Sequence, residues 1–202
     1  MTCIVGYVDK EKNRVVIGGD SAGSTTYHVV IRKDPKVFKV GDFLIGGTSS
    51  FRMLQLLRFS FQPPDFNKPK IGFQGPAHEG DIYRHMCTEF VDSLREMMLK
   101  GGFISKDKDG REQGGCFLVG FKNRLFSIGI DFQVQEFEDE FYSVGSGQEY
   151  ALGAIKALLL NGKKLEAETI VETALSAAAH YSTGVEPPFV ILSTDPENSI
   201  NK

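Results

Sequence analysis

Residues 2–8 and 14–19 are two dense apolar runs separated by the polar stretch 9–13, a pattern that predicts a β-hairpin. Shorter strand-like runs follow at Val29–Arg32, Val37–Val40 and Phe43–Gly46. The period then changes. Ser49 or Ser50 can cap a helix running to about Phe59, with Phe51, Leu54, Leu57 and Arg58 at helical spacing. Residues 60–80 carry Pro63, Pro64, Pro69 and Pro76 among Gly and Phe, and predict a long irregular excursion. Asp81–Lys100 reads as an amphipathic helix with Ile82, Met86, Phe90, Leu94, Met97 and Met98 on one face, stopped by Gly101-Gly102. Its methionines suit gap-filling in a core better than cofactor binding.

Lys106–Gly115 is polar and predicts a turn region; Asp107-Lys108-Asp109-Gly110 resembles part of a calcium loop but lacks the later bidentate Glu. Cys116–Phe121, Arg124–Ile130 and Gln133–Phe137 predict a β-meander. Phe141–Val144 leads into Gly145-Ser146-Gly147, followed by helices at about Gln148–Leu160 and Ala167–His180, the first ended by Asn161-Gly162. Pro188–Ser193 predicts a last strand. Strand blocks separated by helix pairs imply one α/β (α+β) domain over residues 1–202. Its architecture is a four-layer α/β/β/α sandwich of two antiparallel sheets flanked by helix pairs.

Composition narrows the function classes. The chain has 202 residues, enough for a sizeable core, and a net charge of −3 with no Lys/Arg block, which argues against nucleic acid as a partner. No apolar run approaches a membrane span, and Asp9, Lys10 and Glu11 interrupt the N-terminal stretch, so neither a span nor a signal peptide is expected. Cys3, Cys87 and Cys116 are an odd set without a CxxC pair, as in reduced cytosolic proteins, and the scattered histidines give no metal spacing. A cytoplasmic location is expected.

Thr2 carries the candidate chemistry. A small second residue is the kind that methionine aminopeptidases expose. Removal of Met1 would put a hydroxyl and a free α-amine, with an ordinary pKa of about 7.7–8.0, on one residue. Downstream come Val16-Ile17-Gly18-Gly19-Asp20-Ser21, then Asp34-Pro35-Lys36-Val37-Phe38-Lys39-Val40, Leu44-Ile45-Gly46-Gly47-Thr48-Ser49-Ser50 and Val144-Gly145-Ser146-Gly147. In this order the chain resembles the N-terminal nucleophile hydrolases of the proteasome β-subunit and HslV class over nearly its whole length, least so at 59–82.

The resemblance implies a threonine-type endopeptidase with Thr2 as nucleophile and its α-amine as base. Lys36 would polarise the hydroxyl, Asp20 would orient Lys36, and Ser146 would bond near the amine. Counted without gaps from Lys36, the oxyanion glycine of the family falls on Ser50; a shorter loop would make it Gly47. Specificity positions carry over to Gly23, Asp34, Phe38, Thr48, Arg52 and Leu56, with Arg52 beside Asp34 in a partly polar pocket. His180 and Thr183 replace the Asp and Ser of the proteasome Asp-x-x-Ser-Gly pattern. Ala177, His180 and Thr183 have the spacing at which HslV-type chains hold a structural cation such as Na or Mg through backbone carbonyls. No cofactor is implied for the chemistry. The implied partners are peptide or unfolded-protein substrates, further copies in a homo-oligomeric ring, and an ATPase unfoldase.

Two other readings remain open at this level. One is an amidotransferase-like or amidohydrolase enzyme using Cys3, although adjacent strand residues point to opposite sides and Thr2 and Cys3 cannot share a site. The other is a catalytically inactive assembly subunit, the state in which a retained Met1 would block the amine.

Overall fold

The computed structural model describes residues 1–25, 27–67, 81–162 and 164–195. Much of the expected Pro-rich excursion, including Pro69 and Pro76, lies outside the described residues. Four layers are present. One sheet has the order β12-β1-β2-β13, formed by Phe141–Gly145, Cys3–Asp9, Arg14–Gly19 and Val190–Ser193. The other has the order β11-β10-β9-β6-β5, formed by Val134–Glu136, Arg124–Ile128, Phe117–Phe121, Phe43–Gly47 and Val37–Val40. Every strand pairing within both is antiparallel.

Three apolar clusters glue the layers. Ile4, Val15, Ile17, Val37, Leu44, Leu118 and Leu125 fill the space between the sheets. Cys3, Val5 and Val16, the opposite parity on β1 and β2, pack under helices α4 (Gln148–Leu160) and α5 (Ala167–Tyr181). Strands buried on both faces read as near-continuous apolar runs, which is why 2–8 and 14–19 show little alternation.

The outer face of the five-stranded sheet is covered by α1 (Phe51–Phe59) and a long helical segment built of α2 (Asp81–His85), a π turn (Met86–Phe90) and α3 (Val91–Lys100). The sequence predicts one regular helix here. Its buried residues Ile82, Met86, Phe90, Leu94 and Met98 recur at every fourth position. On a 3.6-residue helix that spacing drifts by about 40° per step. A wider π turn in the middle reduces the drift and keeps the stripe on the sheet.

Two small ribbons add strands that the sequence does not show, although Val29–Ile31 falls in the expected run Val29–Arg32. Ser105–Lys106 (β7) pairs with Glu112–Gln113 (β8) inside the expected turn region. Ala22–Ser24 (β3) pairs with Val29–Ile31 (β4) and stands apart from both main sheets. The last strand begins at Val190 rather than Pro188.

Candidate active site

Ladder register brings the site together. β1 pairs with β12 so that Cys3 faces Gly145, and continuing that register one residue sets Thr2 level with Ser146. The Thr2 N–H donates to Ser146 Oγ at 3.2 Å, and Ser146 Oγ donates back to the Thr2 carbonyl at 3.3 Å. Gly145 is obligatory there. Its φ is +105°, and a Cβ on it would lie 2.2 Å from the Thr2 carbonyl oxygen.

On the other edge of β1, the Asp20 N–H donates to the Cys3 carbonyl at 3.3 Å, extending the β1–β2 ladder by one step. The Asp20 carboxylate accepts from the backbone N–H of Cys3 at 2.9 Å and of Ala22 at 3.0 Å. Lys36 comes from the other sheet, immediately before β5, and crosses to Asp20. Its Nζ lies 2.9 Å from both carboxylate oxygens and 3.1 Å from Thr2 Oγ1. Lys36 is 2 % exposed and Asp20 1 %. Burial pushes the Lys36 ammonium below its ordinary pKa, with the attraction of Asp20 acting the other way. The result is an ammonium held against the Thr2 hydroxyl and more willing than usual to release a proton.

Met1 lies across this site. Its carbonyl accepts from Thr2 Oγ1 at 2.6 Å, its α-amine donates to Ser24 Oγ at 2.8 Å, and Thr183 Oγ1 reaches its sulfur at 3.7 Å.

The loop between β6 and α1 holds the candidate oxyanion donors. Gly47 N–H is engaged with the Lys36 carbonyl at 3.0 Å, Thr48 N–H with Cys116 at 3.0 Å, and Ser50 N–H with Thr48 at 2.8 Å. Both expected donors, Gly47 and Ser50, are therefore occupied within the chain. Ser50 is instead the helix N-cap, its hydroxyl accepting from Arg52 N–H. Ser49 lies between them at φ +68°, and its N–H has no acceptor among the described residues. The sequence carries no signal for Ser49 beyond a small polar residue in a turn.

The expected specificity positions divide. Thr48 lies beside Gly145 and the Thr2 carbonyl, whereas Gly23 lies under the Arg32 side chain and Asp34 pairs with it. Phe38 is a core side chain between the five-stranded sheet and its helices, and Leu56 is buried against the end of α3, where a Cβ on Gly101 would touch it. The partner of Asp34 is Arg32 rather than Arg52, through two hydrogen bonds of 2.8 and 2.7 Å. Ser182, which sequence reasoning passed over, sends its hydroxyl to Ser146 at 3.5 Å. Ala177 and His180 occupy the last turn of α5 with Thr183 just beyond, and Ala178 O is taken by Ser182 N–H at 2.8 Å. Among the described residues no group of His, Cys, Asp and Glu could hold a metal ion. Cys3 faces the helix layer, near Ser143 Oγ at 3.7 Å, and burial pushes its thiol up to about 12. A thiol so protonated and enclosed is a poor nucleophile, which removes the ground for the Cys3 reading.

Two stacked antiparallel sheets between helix pairs, with Thr2 at the mouth of the inter-sheet space against Lys36, Asp20 and Ser146, are the arrangement of the N-terminal nucleophile hydrolases of the proteasome β-subunit and HslV class. No protein-family model matches the sequence. The chain is 29% identical, over 203 aligned residues and 97% of each chain, to the ATP-dependent protease subunit HslV of Sulfurimonas denitrificans. Among solved structures it is similar to Thiobacillus denitrificans BPH, with a TM-score of 0.72, 22% identity, and coverage of 94% of this chain and 96% of that one. The same protein is also known in complex with epoxomicin. The eukaryotic HslV of Trypanosoma brucei matches with a TM-score of 0.63 and 18% identity over 95% of this chain and 98% of that one.

Proposed function

We propose that the chain is a threonine-type endopeptidase whose nucleophile is Thr2, freed by removal of Met1. The observation that carries this reading is the Lys36 ammonium, bridging the buried Asp20 carboxylate and Thr2 Oγ1. Once Met1 has left, the Thr2 α-amine is the nearest base. Thr2 Oγ attacks the substrate carbonyl while the amine, directly or through water, takes the hydroxyl proton. Lys36 favours the developing alkoxide and opposes protonation of the amine. The oxyanion is held by the free N–H of Ser49. Collapse of the tetrahedral intermediate breaks the peptide bond, and the leaving amine takes the proton from the Thr2 ammonium. Water then hydrolyses the ester on Thr2 Oγ by the same base. A cation on the carbonyls of Ala177, His180 and Thr183 would brace the end of α5; the steps above use only protein groups.

A chamber formed by several copies fits this activity, since it would screen the nucleophile from folded proteins. The β3–β4 ribbon supports assembly. Val29, Val30 and Ile31 are each about half exposed and Tyr27 is 88 % exposed, an apolar patch unusual on a monomer. Unfolded polypeptide in the cytoplasm, delivered by an ATPase, is the substrate expected of such a chamber. Among the described residues no helix is long and apolar enough to cross a membrane.

The test is intact mass of the purified chain before and after a peptide epoxyketone. The expected result is loss of Met1 and one adduct per chain, absent in Thr2→Ala. An unlabelled chain that lacks Met1, or an adduct retained in Thr2→Ala, would overturn the reading. Met1 retained in every preparation would favour an inactive assembly subunit, because its carbonyl already occupies the Thr2 hydroxyl.

A further inference from the structure

The Arg32 side chain lies on the wall of the site and has no role in the chemistry described so far. Its guanidinium carbon is 3.7 Å from the centroid of the Phe51 ring, and Lys36 Nζ is 5.8 Å from the same centroid. Phe51 thus connects Arg32 to the ammonium that touches the nucleophile. The fork of Arg32 is fixed from below: Nε and Nη2 donate to the two oxygens of Asp34 at 2.8 and 2.7 Å. Its stem runs over Gly23, where a Cβ would lie 2.8 Å from Arg32 Cδ. The lack of a side chain at Gly23 makes room for it.

Stacking and a bidentate pair hold the group still, yet one third of the Arg32 side chain remains exposed. Nη1 is not used by Asp34. The hydrogen bonds from Arg32 hold the Asp34 carboxyl below its ordinary pKa, with a smaller pull from the charge of Arg58, two turns along α1 from Phe51. A guanidinium with a free N–H, pre-oriented on an aromatic face near a nucleophile, is suited to a carboxylate.

We propose that Arg32 is a specificity-determining residue that selects peptides carrying an acidic side chain at the residue whose carbonyl Thr2 attacks. This rests on the peptidase reading. Gly23, Asp34 and Phe51 are the positioning groups: space for the stem, a counter-ion for two of its nitrogens, and a face to stack on.

The test compares kcat/KM of the Met1-free chain on fluorogenic peptides that differ at that one residue, Glu, Gln or Leu. Glu against Gln isolates charge at nearly constant shape. A charge-assisted hydrogen bond predicts a Glu/Gln ratio of about ten or more, falling towards one in Arg32→Ala. Arg32→Gln, which keeps a long polar side chain without the charge, should lower the ratio likewise and serves if Arg32→Ala fails to fold. A Glu/Gln ratio near one in the parent chain, or one that neither substitution moves, overturns the proposal while hydrolysis of the Gln and Leu peptides leaves the peptidase reading intact. Hydrolysis of none of the peptides, with Thr2 unlabelled by epoxyketone, rejects both.

Discussion

Replacing Lys36 by Met separates what this lysine does for stability from what it does for reaction. The substitution keeps an unbranched chain of similar length and removes the ammonium. Asp20 is left with a fully buried carboxylate and no counter-ion. Losing one partner of such a pair costs about 3–5 kcal/mol. The N–H groups of Cys3 and Ala22 still donate to Asp20, so the loss should fall near the lower end of that range. Activity should fall further, by about a hundredfold or more, the scale seen on removing one preorganised charge or donor from a reacting oxygen.

The double substitution Asp20→Asn with Lys36→Met removes both charges, and the amide oxygen of Asn keeps one of the two backbone acceptor bonds, toward Cys3 or Ala22, while its NH2 faces the other N–H. Paired burial of charge contributes little net stability. The double variant should therefore recover part of the folding free energy lost in Lys36→Met, less the cost of the one backbone N–H that Asn leaves unpaired, yet remain as inactive. Urea unfolding monitored by circular dichroism gives the first quantity and kcat/KM on a fluorogenic peptide gives the second, all on chains verified by mass to lack Met1. If activity returned with stability, Lys36 would be a structural cation only. If Lys36→Met cost neither stability nor rate, the assignment of the whole site would be wrong.

Three further outcomes follow from the same geometry. Thr2→Ala should abolish hydrolysis with an unchanged fold, while Cys3→Ala stays active and the Cys3 thiol, pushed up to about 12 by burial, resists alkylation in the native state at neutral pH. Gly145→Ala should lose at least about 3 kcal/mol in urea unfolding, since its Cβ meets backbone 2.2 Å away at a φ of +105°. Because burial lowers the folded-state pKa of Lys36 below its unfolded value of about 10.4, activity should decline on an alkaline limb below that value, whereas the contribution of this group to stability rises over the same window, the unfolded chain binding more protons there; a limb that tracks loss of circular dichroism instead would be alkaline unfolding.

The layer order was legible because apolar runs, helix caps and glycine stops agree with one another. The helix stripe at every fourth residue from Ile82 to Met98 was visible, but the π turn it entails was not read from it. The β3 strand was hidden because Ala22, Gly23 and Ser24 have neither strand propensity nor a buried partner face; the ribbon exists through pairing with β4 alone. In the site, Thr2, Asp20, Lys36 and Ser146 were legible as motifs, and the structure brings them within hydrogen-bonding reach. The loop was not. Which of four consecutive N–H groups is free depends on the Cys116 and Lys36 carbonyls, which lie just before β9 and β5, and no local pattern in Gly47–Ser50 encodes that. Arg32 was missed for the same reason: its relation to Phe51 is made by folding.

The parity of β1 decides which residue reacts. Ile4 lies between the sheets and Cys3 under α5, so Thr2 shares the side of Ile4 and emerges where the inter-sheet layer opens. Lys36 enters that opening just before Val37, which belongs to the same inter-sheet cluster, and Asp20 closes it from β2. A shift of β1 by one residue against β2 and β12 would bury Thr2 under the helix and put a thiol at the mouth. The register that prevents it is held by side chains needed for packing: Ile4 and Ile17, which a Cβ on Gly46 would strike, fix how closely the two sheets approach. The chemistry of Thr2 is thus set by the same contacts that stack the sheets. A substitution such as Gly46→Ala, remote from any reacting atom, should cost activity through register and spacing as much as through stability.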